Sequence, residues 1–141
     1  SAKSNYEKQS SDLDLVHNRM QTNIFKQLVK KHGKDYVGTE QETGNGSQVD
    51  LVVRGSDEKF IFFEIKTSYS VRLCIREALG QLLEYAFFPK AANAKKLIVV
   101  SPNHITSDVK TYLEEIRERF GLPLYYQRYN PEIEALEEIE Y

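Results

Sequence analysis

The sequence predicts an α/β domain: a central mixed β-sheet flanked by α-helices in the order αβββαβαβ. Three observations carry that expectation. Apolar residues recur at helical spacing in three segments, at about 12–32, 72–87 and 107–120. Between them lie short runs rich in Val, Ile, Phe and Tyr, bounded by Gly, Pro, Asn or Ser. The first three runs follow one another as a meander, and the later ones alternate with helices, which favours a mixed sheet.

Residues 1–11 are small and polar without period and are expected to be disordered. Ser11 or Asp12 can cap a helix that runs to about His32, with Gly33 as its stop. Val16, Met20, Ile24 and Leu28 recur on one side of it, and His17 and Gln21 lie along the inward edge. Tyr36 to Glu40 reads as a short strand, Thr43-Gly44-Asn45-Gly46-Ser47 as a turn, and residues 48–54 as the returning arm of a hairpin. Gly55-Ser56-Asp57-Glu58 turns the chain into a strand at 60–66, and residues 72–87 form the next helix. Lys96 to Ser101 is a strand stopped by Pro102. Thr106 or Ser107 caps a third helix, with Asp108 in its first turn and an end near Phe120-Gly121. Pro123 to Gln127 gives a last strand. The acidic tail after Pro131 is expected to be a short exposed helix, so that residues 12–130 form the folded unit and 131–141 a tail.

At 141 residues the chain suits one domain with a real core. No apolar run approaches the roughly 20 residues of a membrane span. The polar N-terminus does not read as a signal peptide, and the single Cys74 can form no intrachain disulfide, which together set the expectation of a reducing, cytoplasmic setting. The formal net charge is −2, but five of the acids lie in residues 131–141. Setting them aside leaves 19 basic against 16 acidic residues, so bulk charge neither supports nor excludes a nucleic-acid partner.

The chemistry concentrates where charges interrupt apolar strands. Val49-Asp50-Leu51-Val52-Val53 and Phe60-Ile61-Phe62-Phe63-Glu64-Ile65-Lys66 each carry ionised groups that burial would penalise without a partner. Alternation puts Glu64 and Lys66 on one face with Phe60 and Phe62, and Asp50 lies in the neighbouring strand. Ile65 points away, but its carbonyl is free to act as an oxygen ligand. Two carboxylates, a carbonyl and waters suit Mg²⁺, and such an arrangement points to metal-dependent cleavage of a phosphodiester. Lys66 would orient or activate the water, or hold the phosphate. The plain alternative is a structural ion pair between Glu64 and Lys66.

The following helix adds a pattern. Gln81 and Tyr85 are four apart and share a face with Ala78 and Cys74, while Arg72, Arg76 and Gly80 form another stripe. A glycine inside a helix costs about 1 kcal/mol relative to alanine, which suggests close approach of a neighbouring element or of a nucleic-acid backbone. Arginines on that stripe can bind phosphates, or can simply be solvated.

Asp50, Glu64-Ile65-Lys66 and Gln81-x-x-x-Tyr85 together resemble the PD-(D/E)xK, or restriction-endonuclease-like, nuclease superfamily, and the Gln-x-x-x-Tyr element resembles its RecB-type branch. The likeness spans about residues 12–127. It implies a restriction-endonuclease-like core and a DNA-cutting activity, endonuclease or exonuclease, with Mg²⁺ or Mn²⁺ as cofactor. It further implies Asp50, Glu64 and Lys66 as catalytic residues, and Asp50, Glu64, the Ile65 carbonyl and His17 as metal ligands. Gln81, Tyr85 and Arg76 would position the substrate. Val49 stands where the motif has proline, and Glu40 is an alternative to His17 as the extra ligand. An imidazole ligand would tilt preference toward Mn²⁺. Thr67 and Ser68 are further candidates for a phosphate contact, and Tyr125, Tyr126 and Tyr129 for base stacking.

The resulting expectation is a metal-dependent deoxyribonuclease of restriction or repair, with DNA as partner and no membrane, acting as a homodimer or as part of a larger protein. The alternative is a non-catalytic nucleic-acid-binding or assembly module on the same fold. No Walker-type glycine loop, H-E-x-x-H or G-x-S-x-G competes.

Overall fold

Strands placed between two helical layers must be apolar on both faces, and the central strands of this chain are. The computed structural model describes residues 2–42 and 48–141, with the side chains of residues 40–42 and 48 outside that description. The expected turn at Thr43–Ser47 lies outside the described residues. The elements are α1 (Ala2–His32), a 3-10 turn (Lys34–Tyr36), β1 (Val37–Glu42), β2 (Gln48–Arg54), β3 (Phe60–Ile65), α2 (Val71–Phe87), β4 (Ala94–Ser101), α3 (Ser107–Phe120), β5 (Leu124–Asn130) and β6 (Ala135–Glu140). One sheet runs β1-β2-β3-β4-β5-β6 in space. The first three strands are antiparallel, β3, β4 and β5 are parallel, and β6 returns antiparallel on β5. The fold is α/β, a six-stranded mixed sheet flanked by helices. No helix among the described residues is long and apolar enough to cross a membrane.

Strand alternation divides the core into two layers. Met20, Ile24 and Leu28 of α1 pack on Leu51, Val53, Phe63, Ile65, Ile98 and Val100. On the other face Cys74, Ala78, Leu82 and Tyr85 of α2 and Val109 and Leu113 of α3 pack on Phe62, Leu97, Val99, Leu124 and Tyr126. Helix signals act where the sequence puts them. Ser70 caps α2 by accepting the Leu73 N–H at 3.0 Å. Gly121, at φ 65, ends α3 in the left-handed conformation that glycine adopts without strain.

Four expectations are corrected. The segment 2–11 is helical rather than disordered: nothing before Gly33 breaks a helix, and Lys3 with Glu7 and Lys8 with Asp12 stand one turn apart, so Ser11 and Asp12 do not act as caps. Val16, expected on the buried stripe, is 47% exposed, and burial on α1 begins at Met20. The tail is not an exposed helix. It supplies β6, because β5 has an open edge and Leu136 can be buried beneath α1. Gln27 fixes that strand with both ends of its amide, donating to the Leu136 carbonyl at 3.0 Å and accepting the Leu136 N–H at 2.7 Å. The tail acids find cations: Glu137 pairs with Arg128 at 2.8 Å, Glu140 with Lys96 and Glu134 with Arg19. Leu136→Ala should therefore lower stability by about 2–5 kcal/mol, as for a core leucine, whereas an exposed tail would give no measurable change in denaturant midpoint.

The fourth correction concerns Gly80. A Cβ built there meets nothing within 4 Å, so no neighbouring element of the fold approaches it. Gly80→Ala is expected to raise stability by about 0.5–1 kcal/mol, read as a higher urea midpoint at unchanged slope.

Candidate active site

β2 and β3 pair from Arg54/Phe60 to Leu51/Phe63 and then part. A continued antiparallel register would give the Ile65 amide to Val49. Instead Asp50 Oδ2 accepts the Ile65 N–H at 2.8 Å. The carboxylate thus satisfies a backbone donor that the diverging strands would leave unpaired. Ile65 packs toward α1, as alternation requires, and its carbonyl leaves the strand on the same edge as its N–H.

α1 reaches this opening with two polar side chains. His17 Nε2 lies 3.2 Å from Asp50 Oδ2, and the Gln21 amide donates to the Asp50 carbonyl at 2.8 Å. Helical spacing puts Gln21 on the inward edge without marking it as a site residue. The usable signal is a polar group one turn before Ile24 on an otherwise apolar stripe, since Gln21 is 7% exposed.

From the α2 side the arrangement closes into a ring. Lys66 Nζ donates to Gln81 Oε1 at 2.5 Å and lies 3.4 Å from Glu64 Oε2. Gln81 Nε2 donates to the Tyr85 hydroxyl, which in turn donates to Glu64 Oε1, both at 3.4 Å. The four-residue step of α2 makes this possible, because Gln81 and Tyr85 stack on the face that covers Glu64 and Lys66. The Lys66 N–H continues the parallel ladder to Val100 at 2.8 Å, so the lysine is held although it lies just past β3.

The electrostatics follow from enclosure. The Glu64 side chain is 3% exposed, against 16% for Asp50, 20% for Lys66 and 28% for His17. Burial, reinforced by the Asp50 charge and opposed by Lys66, pushes the Glu64 carboxyl up to about 7. The hydrogen bond to Asp50 raises the His17 imidazole, with the charges of Asp50 and Glu64 adding to it and burial working against it. Burial raises the Tyr85 phenol, and the charges of Glu64 and Asp50 add to it, so Tyr85 keeps its proton as a donor.

No group of three or more His, Cys, Asp and Glu arranged to hold a metal ion occurs among the described residues. A cation here would rest on fewer protein side chains with water completing the shell, which is how Mg²⁺ is usually held. The donor chemistry fits such an ion. Burial first and the Asp50 charge second raise Glu64, and a cation between the two carboxylates would offset both. The Ile65 carbonyl adds a hard oxygen, whereas the His17 ring nitrogen is engaged by Asp50 at 3.2 Å and is held toward its protonated form, so it is not offered to a cation.

Other candidates fall elsewhere. Arg76 is exposed and lines a groove with α3, away from the face that carries Gln81 and Tyr85. The side chain of Glu40 lies outside the described residues. Ser68 donates to Glu77 Oε1 at 2.6 Å. Tyr126 and Tyr129 are buried in the two core layers, so base stacking is not open to them; Tyr125 is half-buried beneath Arg117 and Lys96. Asn103, which no sequence pattern marks, pins the loop after Lys66. Its amide donates to the Ser68 carbonyl at 2.8 Å, and its own carbonyl accepts the Tyr126 hydroxyl at 2.5 Å.

Compared with protein families, with curated proteins and with solved structures, the chain finds no significant match in any of the three.

Proposed function

We propose that this chain is a metal-dependent deoxyribonuclease with a restriction-endonuclease-like core, serving restriction or repair. One observation carries the reading: at a strand opening, Asp50 on β2 lies close enough for its charge to act on Glu64 of the neighbouring β3, beside an ammonium group that is itself held by two partners. A purely structural Glu64–Lys66 pair would not require a second, half-buried acid close enough to disturb it.

Asp50, Glu64 and the Ile65 carbonyl would hold Mg²⁺ or Mn²⁺ with water completing the shell, while His17, proposed from the sequence as a further ligand, would instead orient Asp50 through their 3.2 Å contact. When bound, the ion neutralises phosphate charge and makes water a better nucleophile. Lys66 holds the attacking water or a phosphate oxygen beside the carboxylates, with Gln81 and Glu64 fixing its direction. Tyr85 keeps Glu64 from turning into the core. Gln21 holds the Asp50 backbone, so that its carboxylate keeps its orientation when substrate enters. Cutting both strands of a duplex would take two such sites, hence two copies of the chain.

The test is incubation of the chain with supercoiled and linear DNA, with Mg²⁺ or Mn²⁺, beside Asp50→Ala and Lys66→Ala. Metal-dependent nicking that both variants lose supports the enzyme. Tight binding without cleavage under either metal assigns the chain to a binding module. Equal cleavage by all three proteins marks a contaminant and removes the support.

A further inference from the structure

A groove of about 340 Å³ runs between α2 and α3, lined by Arg72, Arg76, Leu79, Asp108, Val109 and Tyr112. It continues into a second hollow of about 420 Å³ that reaches Tyr69 and His104 and shares Arg72, Asp108 and Val109. Neither guanidinium is within salt-bridge distance of a carboxylate among the described residues. Asp108, the one acid of the lining, accepts the Val109 N–H at 2.9 Å and the Thr106 hydroxyl at the start of α3, and its charge also acts on Arg72 without reaching ion-pair distance. The two arginines stand one turn apart, about 6 Å along the axis, on the stripe that ends at the open position of Gly80.

Between these charges the first hollow is walled mainly by Leu79, Val109 and Tyr112, whereas the second, at whose mouth Tyr69 stands, mixes Val71 and Val109 with Ser70, Asn103, His104 and Thr106. Tyr69 is 88% exposed and Tyr112 45%. Tyr69 sits three residues beyond Lys66, in the loop that Asn103 clamps through Ser68. A duplex offers a protein its phosphates and groove edges, while its base faces stay stacked inside. Apolar walls and an exposed ring are useful only to bases that have left the stack. Arginines at the rim match the phosphates that follow.

We propose that the α2–α3 groove is a track for single-stranded DNA, which delivers an unpaired strand past Tyr69 to the Asp50–Glu64–Lys66 opening. This rests on the nuclease reading for what the strand meets at its end. Arg72 and Arg76 bind the backbone, and Tyr69 stacks a base at the entrance.

Fluorescence anisotropy with a labelled oligothymidine of about 16 nucleotides, and with a duplex of equal length, tests this in EDTA, where no cleavage occurs. The whole chain is compared with Arg72→Ala/Arg76→Ala and Tyr69→Ala, each checked for an unchanged unfolding transition. The single strand should bind more tightly than the duplex. The double arginine variant should reduce the slope of log affinity against log salt by about 1.4, at roughly 0.7 for each phosphate no longer neutralised. Tyr69→Ala should weaken binding roughly 5- to 150-fold at unchanged slope. Wild-type affinity and slope in the double variant, or tighter binding of the duplex, would overturn the proposal. So would failure to bind either oligonucleotide, which would leave the groove to a protein partner. Metal-dependent cleavage by the wild type with binding independent of the groove removes this proposal alone. Binding through the groove without cleavage under either metal removes the nuclease reading instead.

Discussion

Asp50→Ala is expected to lower metal-dependent DNA cleavage by roughly 10³-fold, the size of several kcal/mol of charge stabilisation withdrawn from the phosphate. The substitution removes a carboxylate whose charge acts on Glu64 and which accepts the Ile65 N–H at 2.8 Å. Two effects then coincide: the carboxylate proposed to hold the ion is gone, and the Ile65 amide has no acceptor. A buried donor left unsatisfied costs about 1–3 kcal/mol, so the variant should also unfold at lower denaturant. Asp50→Asn separates the two effects. Its amide oxygen can still accept the Ile65 N–H, so stability should largely return while cleavage stays low. Full cleavage by Asp50→Asn under Mg²⁺, measured as initial nicking rate, would deny the carboxylate its part.

Glu64→Gln should abolish cleavage and yet stabilise the metal-free protein at pH 8. Glu64 binds its proton more tightly in the folded chain than in the unfolded one, since burial and Asp50 raise it from 4.5 to about 7. A group raised in this way favours the fold when protonated. That contribution is complete below about pH 4.5 and is lost as pH rises through about 7. His17, raised by Asp50, acts in the same direction, with its contribution lost as pH rises past its folded value. A glutamine cannot ionise and escapes the Glu64 part of the loss, on the order of 3 kcal/mol as an upper figure. Removing the charge that faces Lys66 offsets part of this, although Gln81 still holds the ammonium at 2.5 Å. Thermal unfolding of metal-free Glu64→Gln should come several degrees above wild type at pH 8, at roughly 2–4 °C per kcal/mol, and with little difference at pH 5. A lower transition at pH 8 would show that the ion pair with Lys66 outweighs the repulsion from Asp50.

Periodicity made much of this legible before any coordinates. The period of two in Phe60, Phe62, Glu64 and Lys66 fixes which face the acid and the lysine share, and Phe60 and Phe62 do stack on one another at 5.9 Å. The four-residue step from Gln81 to Tyr85 needs nothing but helix geometry to bring both side chains to that face. The same geometry sets Arg76 on another stripe, and only the resemblance places it with the substrate-positioning residues. It lies five residues before Gln81, well around the helix at about 100° per residue, and so faces α3. What depends on distant partners could not be read. β6 exists because Gln27, 109 residues away, offers both ends of its amide to Leu136, and because Arg128 meets Glu137. Taken alone, that segment is a run of acids. The backbone role of Asp50 was hidden for a similar reason, since no local pattern shows where two paired strands will part.

Mn²⁺ titration at pH 8, followed by the paramagnetic signal of the free ion, bears on the central claim without depending on any substrate. The wild-type chain should take up Mn²⁺ saturably, and Asp50→Ala and Glu64→Gln should each weaken that uptake at least about tenfold, the usual scale for removing a metal ligand or its support. Uptake of equal strength in wild type and Asp50→Ala, or none by the wild type at millimolar Mn²⁺, would contradict a cation site built by these two carboxylates.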